Sequence, residues 1–501
     1  MSRSPVQRER VLLTAALLVC TFLAALDVLV VVTAMPTIVA SLGGLELYTW
    51  VFSSYLLASV ASLPIYGRLA DVYGRRPIFV LGTGVFLLGS LLCGSAQSME
   101  QLVAFRAVQG LGAGAIQPVT LTILGDVYSL EERSRVSGLF SLVWTLAGVL
   151  GPPVGGLLAE HASWRYIFLL NLPVGLAAIL MLSLAFRETV ERRGHQIDYL
   201  GSGLLAAGLV ALMLGMGEVQ RRASESFEPS AVVLLAVALS LGWVFVQHER
   251  RVEEPVVPLT LFQNRLIAVS SIGAFLTGAV LLALNSFIPP YIQGVLGQSA
   301  AMTSVPLLTM SVGWSVASPI AGRMIVRVGY RVCGVLGAML ILAGAVTLAA
   351  RLMVESLLAL SLELGVVGVG LGFCTLSFVL AVQNAVAWEQ RGVATSSSQL
   401  FRNIGGAVGV SAVGAVFGVR LRSELSHLPG AETLGVNALL DSSQRGAVPL
   451  DVLTVAVEAL ESGLHSAFVA VAVIAALAAF VVFLLPGGPA EEHQWSGAGP
   501  D

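Results

Sequence analysis

The stretch GRLADVYGRR, residues 67–76, sets four charges, Arg68, Asp71, Arg75 and Arg76, between two long apolar runs. A gap this short cannot be a domain. The flanking runs must be antiparallel neighbours, with Gly67, Asp71, Gly74, Arg75 and Arg76 held at one membrane face, where a helix pair is able to lock or release. A second copy, GRMIVRVGYR at 322–331, begins 255 residues later and has Val326 where the first has Asp71. Two such turns in one chain predict a duplicated membrane bundle.

Composition agrees. A chain of 501 residues that is 56% hydrophobic and 11% charged cannot hide its apolar surface from water, so the lipid bilayer is its solvent. The net charge of −3 offers nothing to a nucleic acid, and the six His lack metal-ligand spacing. All 27 basic residues are Arg. Without Lys there is neither a Walker A phosphate loop nor a Schiff-base nucleophile. The expectation is a protein that is not an enzyme, with no cofactor and no metal. Cys20, Cys93, Cys333 and Cys374 lie inside apolar runs and read as small buried hydrophobes, not as a disulfide framework.

Membrane-length runs of about 20 residues place spans at 12–33, 48–66, 77–96, 101–125, 136–158 and 166–186. Two more follow a charged linker, at 199–217 and 231–247. After a second linker come 267–288, 303–322, 332–350, 356–380, 393–419 and 464–485. The N-terminal run is too long for a signal-peptide core. With both ends in the cytoplasm, eighteen Arg fall on the cytoplasmic side, seven on the other, and Arg106 and Arg402 within spans. The fold expected is an all-α integral membrane protein of fourteen transmembrane helices: a six-helix bundle at 1–190, two inserted helices within 191–262, and a second six-helix bundle at 263–501. A long outer loop is expected at 421–463, with an amphipathic patch at 452–460.

Two charges sit deep in spans. Asp27 has at least ten apolar or small neighbours on either side, and a carboxylate there costs about 2.5–3.5 kcal/mol on insertion scales. It must therefore face a partner or an aqueous cavity. Arg106, in FRAVQGLGAG at 105–114, is the second. A guanidinium does not give up its proton, so its part is electrostatic, acting on a nearby carboxyl. The run GVLGPPVGG at 148–156 combines kinking Pro with Gly that admit a close neighbour.

These segments together resemble the major facilitator superfamily, and the resemblance covers residues 12–485. The stretch at 67–76 resembles the superfamily's signature loop between its second and third helices, although Val72 stands where the family usually has a basic residue. The resemblance implies a charge relay of Asp71 and Arg75 with Asp126, and packing of Asp71 against the thirteenth helix. Asp27 followed by an apolar run to Pro36 resembles the first-helix motif, and Arg106 the fourth-helix motif implicated in proton transfer. Gly148, Gly151, Pro152, Gly155 and Gly156 resemble the antiporter motif of drug exporters. WRYIFLLNLPVG at 164–175, with the two inserted helices, is similar to the fourteen-helix drug:proton antiporters.

What this implies is a proton-coupled antiporter in a bacterial cytoplasmic membrane, with both termini cytoplasmic. The proton gradient would drive hydrophobic or cationic compounds out by alternating access. Glu363, Asn285, Trp144, Phe287 and Trp314 are the candidates for the substrate cavity. The partners expected are a small molecule, protons and lipid. Export of an endogenous metabolite, antibiotic or lipid by the same mechanism is the first alternative. A receptor that transports nothing has no need of Asp27, Arg106 and the helix-5 motif together, and the motif disfavours an uptake symporter. The Gly runs at 368–372 and 405–409 lack the strand and spacing of a dinucleotide site and read as helix-packing glycines.

Overall fold

The computed structural model describes residues 5–128, 130–186, 198–221, 229–252, 255–350, 356–386, 391–425 and 450–488, and these are helical almost throughout. In chain order the helices are α1 (Pro5–Leu42), α2 (Tyr48–Tyr73), α3 (Arg75–Ser95), α4 (Met99–Val127), α5 (Leu130–His161), a short α6 (Arg165–Leu169) and α7 (Asn171–Ala185). Then come α8 (Tyr199–Arg221), α9 (Pro229–Glu249), α10 (Arg265–Pro290), α11 (Ala300–Ala350), α12 (Leu357–Asn384), α13 (Arg391–Leu425) and α14 (Leu450–Phe483). Eleven helices among the described residues are long and apolar enough to cross a membrane. Contacts divide the chain into two units, residues 1–211 with 237–256, and 212–236 with 257–501.

In the first unit α4 lies between α2 and α3, and α1 packs on α5 and α7. Small residues allow this. A Cβ on Gly110 would come within 2.2 Å of the Tyr55 carbonyl oxygen, and one on Gly89 within 2.4 Å of the Gln109 backbone, so each contact is backbone on backbone. Leu17, Cys20, Leu23, Phe79, Phe86 and Ile116 fill the interior. Along α7, Leu176, Leu180 and Leu184 are 58%, 60% and 68% exposed at every fourth position. Such a stripe is a liability in water and the expected surface in a bilayer. Asp198 caps α8 by accepting from the Gly201 amide at 2.7 Å, and His248 Nε2 lies 2.7 Å from the same oxygen, Oδ1.

In the second unit α11 packs on α12 and α10 on α13. The Gly runs at 368–372 and 405–409 serve these contacts: Gly368 meets the Met310 carbonyl, Gly370 meets Gly337, Gly405 meets the Phe275 carbonyl and Gly409 meets Ala279.

The stretch at 67–76 is not a loop. Residues 67–73 complete α2, Arg75 opens α3, and Gly74 alone leaves helical geometry, at φ 102 and ψ 155. The second copy lies wholly inside α11, broken only at Gly329, at φ 83 and ψ 171. The same 255-residue offset that aligns the sequences aligns these two backbone breaks. A one-residue turn suffices because the Ala70 carbonyl, at the end of α2, accepts from the Gly74 amide at 3.1 Å and from Arg75 Nη1 at 3.2 Å. The 51 residues of α11 are thus two helices meeting at Gly329, about 44 and 32 Å long at 1.5 Å per residue, each long enough to cross a bilayer core of about 30 Å.

The loop expected at 421–463 is also corrected, because both of its ends are helical. α13 continues to Leu425 and α14 begins at Leu450, so the amphipathic patch at 452–460 is the first part of a helix. Its apolar side, Ala456, Ala459 and Leu460, is buried, and Gly463 sits against Phe417 and Leu421. Arg420 pairs with Glu424 at 2.7 Å and donates from Nε to Ser462 at 2.9 Å, tying the two helices together. Residues 426–449 lie outside the described residues.

Positive φ with extended ψ is open almost only to Gly, and other residues there cost about 1–3 kcal/mol. Gly74→Ala and Gly329→Ala are each expected to lower the apparent thermal midpoint of the detergent-purified protein accordingly. A midpoint unchanged in both would mean that the breaks are not needed.

Candidate functional site

Asp27 lies about three-fifths of the way along α1, 1% exposed, and its carboxylate is met from three sides. Arg106 Nη1 donates to Oδ2 at 2.6 Å, while Gln109 Nε2 and Asn171 Nδ2 donate to Oδ1 at 2.8 and 2.7 Å. Arg106 and Gln109 are three residues apart and so share one face of α4. Asn171 opens α7 beside the short α6, in the segment that begins at Trp164.

The protons in this network can be assigned one by one. Ser90, on α3, has a single hydroxyl proton and gives it to the Phe168 carbonyl at 2.8 Å. Its lone pairs are left to accept from Asn171 Nδ2 at 2.8 Å and Gln109 Nε2 at 3.2 Å. Gln109 Oε1 accepts from Arg106 Nη1 at 2.8 Å, which fixes the amide orientation because a guanidinium only donates. Arg106 Nε reaches the Val51 carbonyl at 3.4 Å, and its Cζ lies 4.1 Å from the centre of the Tyr55 ring. Gln109 and Ser90 are 0% exposed, and Asp27, Arg106 and Asn171 are 1% exposed.

A buried ion pair stays intact only when its remaining lone pairs and protons are also satisfied, and removing one partner costs about 3–5 kcal/mol. Here α1, α2, α3, α4, α6 and α7 each supply an atom. Chemically, the arrangement holds a carboxylate beside a permanent cation in a sealed space. A proton arriving at Oδ2 would take the place of the Arg106 hydrogen bond.

The two charges that the sequence singled out are thus brought together. Gln109, Asn171 and Ser90, quoted only as motif residues or passed over, complete the site; the available signal was an amide or hydroxyl isolated in an apolar helix. Gly148, Gly151, Pro152, Gly155 and Gly156 are all buried. Gly151 faces Leu29, and Gly155 faces the Val30 carbonyl and Thr33, so α5 grips α1 within two turns of Asp27. Arg75 is buried and bound to Ala70, whereas Arg76 is exposed. Gly67 and Asp71 lie in α2 and Asp126 in α4, but the side chains of Asp71 and Asp126, and with them the expected relay, fall outside the described residues, as does that of Trp144.

Glu363, Asn285, Phe287 and Trp314 lie in the second unit. Phe287 is 1% exposed with its ring 5.4 Å from Phe417, Asn285 is buried, and Glu363 and Trp314 are half-buried. Glu363 and Glu461 both lie near Tyr291. Among the described residues no group of three or more His, Cys, Asp or Glu is placed to hold a metal ion.

The profile of the Major Facilitator Superfamily matches residues 17–410. The chain is 33% identical over 422 residues to the multidrug transporter protein MdtP of Bacillus subtilis (strain 168), covering 84% of this chain and 77% of that protein. It is 30% identical over 483 residues to Multidrug resistance protein 3 of the same organism, covering 94% of each. A solved bacterial homolog of the human lysosomal transporter Spinster has the same fold, with a TM-score of 0.71 at 16% identity over 99% of this chain and 100% of that one. With the profile spanning most of the sequence and relatives alike over nearly its full length, the chain belongs to the Major Facilitator Superfamily of membrane transporters and is not an enzyme.

Proposed function

We propose that this transporter is a proton-coupled antiporter that exports hydrophobic or cationic compounds across a bacterial cytoplasmic membrane by alternating access. The observation that carries the coupling is the sealed network around Asp27, together with the apolar or neutral residues at the described positions that correspond to it in the other half of the repeat. At the 255-residue offset, Asp27, Arg106 and Gln109 correspond to Leu282, Ser361 and Leu364, all buried. At those three positions the second half packs with no charged residue. A cluster that packing does not require, and that is costly to bury, is retained for chemistry.

In this mechanism a proton from the outer medium neutralises Asp27 at Oδ2 and breaks the bond from Arg106 Nη1. Arg106 keeps its charge and turns to other acceptors, while Asp27 is no longer tied to α4. Because α5 grips α1 at Leu29, Val30 and Thr33, the release passes to the antiporter motif. Release of the proton to the cytoplasm restores the pair. The proton gradient is the energy source, and the residues call for no cofactor. Export of drugs is supported by the two Bacillus relatives named for multidrug transport and resistance. Recognition of cations falls to Glu363 in the second unit.

The same reading takes the chain as fourteen spans with both termini cytoplasmic, divided at 1–190, 191–262 and 263–501. Counting α11 as two spans about Gly329, and adding the 26-residue α2 and 32-residue α5 to the apolar helices, supports that number. The excess of Arg on one side supports the orientation.

Asp27→Asn is expected to fold and insert but to lose proton-driven efflux in proteoliposomes with an imposed gradient; transport at the parent rate would refute coupling at Asp27. Asn171→Leu leaves the ion pair in place but deprives a buried carboxylate oxygen of a donor, a loss of about 1–3 kcal/mol. It should lower the apparent thermal midpoint of the parent, and much less that of Asp27→Asn, since the two substitutions act on one bond.

A further inference from the structure

Arg402 is the second arginine that the sequence placed inside a span, and its surroundings are the opposite of those of Arg106. It lies eleven residues into α13, about 17 Å along the axis. It is pinned there: a Cβ on Gly278 of α10 would stand 2.2 Å from its carbonyl oxygen and 3.0 Å from its Cγ. Gly405 against Phe275 and Gly409 against Ala279 hold the two helices in that register.

No carboxylate meets this guanidinium among the described residues, and neither a hydrogen bond nor an ion pair is formed to it. From Leu266 to Pro290, α10 carries no charge at all. Among the described residues of this unit, Glu424 pairs with Arg420, and Glu363 and Glu461 lie near Tyr291. On its own helix Arg402 is flanked by amides. Gln399 lies on its face three residues before it and Asn403 follows it directly, and Gln399 Nε2 donates to Asn403 Oδ1 at 3.3 Å, which leaves the Asn403 amide hydrogens unspent. Arg402 is half-buried.

A guanidinium keeps its charge, and a cation in a membrane interior requires an anion or water to face it. A fixed cation set among amide donors and apolar helices is complementary to a molecule with one negative group and a hydrophobic body. We propose that Arg402, with Gln399 and Asn403, binds the acidic group of amphipathic organic anions, so that the compounds handled include acids. As a statement about transport this rests on the export reading above; as a statement about binding it does not.

The test uses three fluorescent probes with one pyrene body: pyrenebutyrate, its neutral methyl ester and a pyrenebutyl trimethylammonium salt. Equilibrium binding to the purified full-length protein is expected to favour the acid over the ester by about tenfold or more, as charge-assisted hydrogen bonds do. Arg402→Gln should abolish that preference and Arg402→Lys retain most of it. Equal binding of acid and ester by the parent, or an acid preference surviving in Arg402→Gln, overturns the proposal. If Arg402→Gln fails to fold, the parent's acid-to-ester ratio and Arg402→Lys decide. Gradient-driven uptake of the probes into everted vesicles separates the two readings. Acid that binds selectively but is never moved upholds the anion site and refutes the exporter, whereas transport of ester and cation without acid preference overturns the anion site alone.

Discussion

A charge within hydrocarbon must be answered by the protein itself, and in the first unit Asp27 and Arg106 answer each other at 2.6 Å. One bond is not enough. The second carboxylate oxygen, the remaining guanidinium hydrogens and both amides drawn in to serve them must find partners too, or each costs more than the pair returns. Satisfying that chain of requirements brings α1, α3, α4 and α7 to one point and fixes their register. Gly89 on the Gln109 backbone and Gly110 on Tyr55 are what let the helices come close enough.

The two halves of the repeat share a backbone break and differ in charge. Gly74 and Gly329 make the same one-residue break, yet Arg75 corresponds to Tyr330, which is buried and accepts a hydrogen bond from Asn384 at 2.6 Å. The ion pair of the first half is replaced by Leu282 and Ser361, and the Ser361 hydroxyl turns back to the Leu357 carbonyl at 2.7 Å. The second half has Arg402 instead, set against α10 without a partner among the described residues. The asymmetry sets a buried ion pair in the first half against the guanidinium of Arg402 in the second.

The fold was legible because burial in lipid leaves few choices. Backbone groups without water must bond internally, so apolar runs of the right length are helices, and a short charged gap between two of them is a turn. Asp27 and Arg106 were conspicuous for the same reason, each an expensive residue in an apolar run. Helix ends were less legible. Apolarity marks where a segment enters the bilayer, not where its hydrogen bonding stops, and α13 and α14 continue past that limit because Arg420, Glu424 and Ser462 bind one another there.

By itself the sequence determined the membrane environment, the duplication and the two deep charges, since each is set by residue type and spacing along one chain. Only the tertiary structure decided that those two charges are a single pair, that Gln109, Asn171 and Ser90 complete it, and that Arg402 has no such partner among the described residues. Asp27 and Arg106 are 79 residues apart and Asn171 stands 144 from Asp27, so their meeting depends on how helices stack, which no local pattern records.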